Sequence, residues 1–117
     1  MAKYPDPRTQ ARSSVDDFYR LFMVPGMGHC GGGSGPNVFG NGSTVTGAAN
    51  DPERDLVTAL DLWVDKGVAP DHFIGTGKAV GDPAKVLTRP LCAYPKTARY
   101  NGSGDINDAS NFTCKAL

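Results

Sequence analysis

The sequence predicts an α/β fold with few strands, one main helix and long ordered loops. Three features carry that expectation. The run RLFMV, Arg20 to Val24, is mostly apolar and is stopped by Pro25-Gly26. Apolar residues recur at helical spacing between 52 and 66. Glycine and proline number 15 and 9 among 117 residues, high for a small globular domain yet below the range of low-complexity chains. A hydrophobic content of 39%, with five Phe, four Tyr and one Trp, provides the apolar mass for a core in one small domain.

Taken in order, residues 1–12 read as a loose leader. Ser14-Val15-Asp16-Asp17 fits the start of a short helix, a hydroxyl cap followed by acids in the first turn. RLFMV then reads as a buried strand, because both of its faces are apolar. Residues 25–50, with nine glycines and two prolines, are loop. The main helix is predicted over 52–66. Asn50 or Asp51 caps it, Pro52 sits in its first turn, and Glu53 lies three residues after Asn50. Leu56, Leu60, Trp63 and Val64 form its apolar face, Asp55, Asp61, Asp65 and Lys66 point away, and Gly67 ends it. HFIGT (72–76) and KVLTR (85–89) are short strands joined by a polar loop, and after Pro90 the chain is extended and punctuated. No repeat and no linker divides residues 1–117.

Charge is balanced, 12 basic residues against 12 acidic, and no basic stretch follows a phosphate backbone, which argues against nucleic-acid binding. No apolar run of about 18 residues spans a membrane, and MAKYPDPRTQARSS lacks the apolar centre of a signal peptide. The cysteines are Cys30, Cys92 and Cys114. An odd count leaves at least one thiol free or paired outside the chain. Asn41-Gly-Ser43, Asn101-Gly-Ser103 and Asn111-Phe-Thr113 fit the glycosylation sequon, a pattern that an Asn- and Gly-rich chain also produces by chance.

The chemistry concentrates in VPGMGHCGGG, Val24 to Gly33. Gly26-Met27-Gly28-His29-Cys30-Gly31 matches the dinucleotide fingerprint G-x-G-x-x-G, but the third glycine must open a helix that holds a pyrophosphate. Gly31 is followed instead by Gly32, Gly33, Ser34, Gly35 and Pro36. A zinc site needs about four ligands in short paired spacings, whereas His29 and Cys30 are adjacent, Cys92 and Cys114 are distant, and His72 is the only other imidazole. His72, beside Asp71 after the helix, reads as a surface or strand-edge residue. His29 either caps a turn or stands where α/β-hydrolases place their general base, on a loop at the end of a buried strand.

The segments DDFYRLFMVPGMGHCGGGSGPNVF, LVTALDLWVDKGVAPD and LTRPLCAYPKTARYNGSGDINDASNFTC together resemble the tannase and feruloyl esterase family over roughly residues 15–114. The resemblance implies an α/β-hydrolase with a large inserted lid and a Ser-His-Asp triad. Its substrates are esters of aromatic acids such as gallate and ferulate, or in one branch a terephthalate monoester. It further implies that His29 is the catalytic histidine. Cys30 would pair with a cysteine next to the nucleophile, outside this chain, and Cys92 with Cys114. No cofactor and no metal is expected.

The chain departs from the family pattern in what it lacks. It has no G-x-S-x-G, the turn that presents a nucleophilic serine. Ser34, Ser43 and Ser103 lie in loops, and Ser13 and Ser14 precede a short helix. Asp16 and Asp17 match a non-catalytic stretch, Asp6 has no counterpart, and the lid with any calcium site is missing. The expectation is a C-terminal segment of an α/β-hydrolase, carrying the base of a secreted or periplasmic enzyme and inactive alone. The alternatives are a non-catalytic binding protein derived from that segment, or a partner chain that supplies serine and aspartate. Self-association through an exposed strand edge or through Cys30 is also expected.

Overall fold

The computed structural model describes residues 15–40, 50–79 and 81–116. The leader, Ser13, Ser14, Ser43, Asp6 and the Asn41 sequon lie outside the described residues. Among the described residues the elements are a helix, α1 (Leu56–Lys66), the strands β1 (His72–Ala79), β2 (Asp82–Cys92), β3 (Thr97–Tyr100) and β4 (Phe112–Lys115), and a 3-10 turn, Ala109–Asn111. One helix, few strands and long loops match the sequence expectation.

The entry to α1 differs from its prediction. The helix starts at Leu56 rather than at residue 52. Asp51 closes a turn of its own, accepting from the amides of Arg54 and Asp55 through its carbonyl and from the amide of Glu53 through its carboxylate. Asp55 is therefore the true cap, with Oδ1 taking the amide of Val57 at 3.1 Å and Oδ2 the hydroxyl of Thr58 at 2.9 Å. Gly67 ends the helix in the left-handed conformation, φ 68°, as predicted.

The run RLFMV is not a strand. It makes one isolated antiparallel bridge, Phe22 to Ala93, and Tyr94 donates its amide to the Leu21 carbonyl at 2.8 Å. Phe22 and Val24 turn inward, whereas Leu21 and Met23 are 47% and 58% exposed. Its alternation shows a strand-like segment with one face covered, and no described segment pairs with the other edge. The apolar face of α1 is corrected in the same way. Ala59 is buried and Leu56 packs on the core, but Leu60 and Val64 are 53% and 77% exposed.

Ala59, Phe73 and Leu91 form a buried cluster, with Phe22, Val24, Phe39 and Leu56 packed around them, and Ala79, Leu87 and Cys92 are buried as well. Phe22 meets Phe73 edge to face at 4.8 Å between ring centroids. β1 and β2 form an antiparallel hairpin from His72 opposite Cys92 to Lys78 opposite Val86, with a bulge after Lys78. β2 runs through Pro90 to Cys92, beyond the predicted 85–89. β3 and β4 form a second hairpin, Thr97 opposite Lys115 to Tyr100 opposite Phe112. A disulfide between Cys92 and Cys114 joins the two hairpins.

Arg89 and Thr88 fasten the same junction. The Arg89 guanidinium lies 4.0 Å over the Phe112 ring and donates from Nη2 to the Ile106 carbonyl at 2.9 Å. Thr88 donates its amide to the carbonyl of Asn107 and accepts the amide of Ala109 on its hydroxyl. At the other end Arg20 reaches the Pro70 carbonyl at 2.8 Å and lies 5.5 Å over Trp63, tying the start of the described chain to the exit of α1.

Candidate active-site loop

The glycine loop is built by backbone approaching backbone. After Val24 the chain turns at Pro25-Gly26 and folds back, with Met27 bridged to Gly33 and the Gly35 amide donating to the Gly26 carbonyl at 3.1 Å. Gly28 donates to the Gly32 carbonyl at 3.0 Å. A methyl group at Gly28 would stand 2.7 Å from the Gly31 oxygen, and a side chain at Gly33 would collide with the Gly26 carbonyl. The returning limb lies on β1. Val38 and Thr76 exchange both backbone hydrogen bonds, at 3.0 and 2.9 Å, and Gly77 leaves room for the Gly35 carbonyl where a methyl group would approach to 2.7 Å. Glycines inside the HFIGTGK strand are the sequence signal for that close approach.

His29 and Cys30 occupy the tip, both exposed. Cys30 is in the left-handed conformation, φ 62°, one of two described non-glycine residues with positive φ. That geometry costs a residue with a Cβ roughly 1–2 kcal/mol, and such strain clusters at functional sites. It sets the Cys30 sulfur 3.6 Å from His29 Nδ1. The contact has a chemical consequence. A thiol donating to Nδ1 leaves the neutral ring protonated on Nε2, the nitrogen that a general base must keep free. Oxidising Cys30 to a disulfide removes that donor and frees Nδ1 to hold the proton instead.

Among the described residues, no serine hydroxyl and no carboxylate hydrogen-bonds His29. Ser34 lies on the returning limb, Asp16 and Asp17 in the turn that follows Val15, and Ser103 in the bend between β3 and β4. His72 is on the strand edge expected of it, at the start of β1. Its Nδ1 meets Asp71 at 2.7 Å and its Nε2 meets Glu53 at 3.4 Å. The two contacts link the turn before α1 to the start of β1. A cleft of about 370 Å³, absent from the sequence reading, opens at the stem of the glycine loop, between Pro25, Ser34 and Gly35 on one side and Arg89 and Lys96 on the other. His29 and Cys30 do not line it.

Comparison with known proteins gives a consistent result. The family model described as tannase and feruloyl esterase matches residues 5–115. An uncharacterised esterase of Xanthomonas campestris is 44% identical over 89% of this chain and 18% of its own. Mono(2-hydroxyethyl) terephthalate hydrolase of Piscinibacter sakaiensis is 42% identical over 98% of this chain and 17% of its own. Among solved structures, feruloyl esterase B from Aspergillus oryzae superposes with a TM-score of 0.72 at 36% identity, covering 88% of this chain and 20% of that one. The chain thus spans about a fifth of the length of the relatives it matches.

Proposed function

This chain belongs to the tannase and feruloyl esterase family, and we propose that His29 is the general base of a serine hydrolase that cleaves esters of aromatic acids. The observation that supports this reading is the presentation of His29 and Cys30 together, exposed, at the tip of a stem where backbone packs so closely that several positions admit only glycine. Nε2 of His29 takes the proton of a serine hydroxyl as that oxygen attacks the ester carbonyl. The same nitrogen returns the proton to the departing alkoxide, and the cycle repeats with water to release the acid. The carboxylate that holds Nδ1 and the donors that stabilise the oxyanion come from polypeptide outside this chain, as does the cysteine that pairs with Cys30. The chain is then the C-terminal segment of an α/β-hydrolase domain, with nucleophile elbow and lid elsewhere. The Cys92–Cys114 disulfide supports an oxidising compartment, secreted or periplasmic, for the whole protein.

The test is an assay with methyl ferulate of this chain alone and of the longest open reading frame that contains it. The chain alone should show no turnover above buffer, because triad members act as a unit. The longer product, carrying a glycine-flanked Cys-Ser and an aspartate ahead of His29, should be active. Turnover by the isolated chain, or a reading frame without that serine, overturns the proposal.

The isolated chain should also self-associate. Val57, Leu60 and Val64 form an exposed apolar stripe on α1, and Leu21 and Met23 present another apolar edge. Sedimentation should show dimers or larger species that persist in reductant. Leu60→Lys with Val64→Glu should weaken association by about tenfold or more, since burying such side chains is worth roughly 1.5–3 kcal/mol each. A monomer at all concentrations would contradict this. Dissociation by reductant alone would assign the association to Cys30.

A further inference from the structure

The cleft at the stem of the glycine loop has a composition that the esterase reading does not use. Its walls are apolar: Met23, Pro25, Pro36, Leu87, Pro90 and Ala98 line it. Its two charged lining residues, Arg89 and Lys96, are both cationic. Neither forms an ion pair with a described residue.

Arg89 is also fixed in place. One face of its guanidinium rests on Phe112 and Nη2 is held by the Ile106 carbonyl, while Nε is buried with no hydrogen-bond partner. Burial lowers the Arg89 pKa from its ordinary value, the mark of a cation losing water without gaining a counter-ion. Arg89 as a whole is half-buried, and its buried Nε and the unpaired charge of the guanidinium leave it able to take an anionic partner from the cleft. The volume lies within the range of small-molecule sites, about 300–1,000 Å³, which combine apolar walls with a few placed polar groups.

We propose that this cleft binds a small organic anion with an apolar body, its carboxylate between Arg89 and Lys96 and its body against the proline-lined wall. The site is separate from His29 and Cys30, which do not line it, and the proposal does not rest on the ester-hydrolase reading.

Sodium benzoate is the probe, titrated into the 117-residue chain at low ionic strength and followed by amide chemical shifts. Saturable shifts at Gly26, Gly35, Arg89 and Lys96 are expected, with a Kd on the order of 1 mM. Benzyl alcohol, similar in shape but neutral, should bind about tenfold more weakly, and added salt should weaken benzoate selectively. Lys96→Glu and Lys96→Gln change an exposed side chain; both should weaken benzoate by about three- to tenfold, Lys96→Glu more, while leaving benzyl alcohol unaffected. Equal affinity for benzoate and benzyl alcohol overturns the proposal and marks the cleft as an apolar groove suited to a segment of polypeptide. Absence of saturable shifts up to about 20 mM, or shifts mapping elsewhere, overturns it as well.

Discussion

In the longer esterase proposed to contain this chain, replacing His29 by alanine is expected to lower kcat by several orders of magnitude, up to roughly a million-fold on the precedent of serine-protease triads. The fold should be indifferent to the change. His29 is exposed at a loop tip, its backbone lies outside the left-handed region, and its one side-chain contact is to Cys30. Substitutions of that kind stay within about 0.5 kcal/mol in stability. An unchanged melting curve with lost turnover of methyl ferulate therefore separates a chemical role from a structural one. His72→Ala is the control. Its ring is engaged by Asp71 and Glu53, so it should cost some stability and leave kcat within a few-fold. Reversal of the two outcomes would move the base to His72 and sink the assignment of His29.

Replacing Cys92 and Cys114 together by alanine destabilises the chain by about 3 kcal/mol, because the disulfide closes a loop of 22 residues that the unfolded chain otherwise leaves open. For a domain of this size that is a fall of roughly 15 °C in melting temperature, and a large share of a typical total of about 5–15 kcal/mol. The loss should also be uneven. β1 and β2 are held by their own ladder and by the core at Phe73 and Leu91. β3 and β4 are tied back to β2 through the disulfide, Thr88 and Arg89. Hydrogen exchange should therefore accelerate first in residues 97–115, with residues 72–92 protected longer. A melting temperature that does not respond to the double substitution, or uniform exchange, would show that the hairpins are held by packing alone.

Legibility in the sequence followed how local each signal was. Gly67 ends α1 as read, because a left-handed cap is a property of one residue and its turn. The start of α1 was misplaced because Asn50-Asp51-Pro52 carries every cue of a helix cap and spends them on a preceding turn, leaving Asp55 to cap. RLFMV was read as a buried strand because apolar residues on both faces normally mean two covered faces. Here the side chains of Leu21 and Met23 stay half exposed. The two short strands lie where the sequence places them but run longer, because the polar Gly, Asp and Pro residues read as their joining loop are largely strand and β2 continues past Pro90 to Cys92. His29 stood out by residue type and position, yet its chemistry came from the family pattern, since one imidazole in a glycine loop is otherwise ambiguous. The cleft was invisible: residues 23–26, 34–36, 87–92 and 96–98 meet only after the chain has folded.

The glycine stem also bears on how such a base would perform. Backbone lies so close to backbone at Gly26, Gly28 and Gly33 that a Cβ at any of them would meet main-chain atoms, so the path of the chain that carries His29 depends on glycine. If His29 is the proposed base, the backbone that presents it takes its path as the chain folds rather than as substrate binds. Selectivity among esters would then come from the surfaces that face the loop.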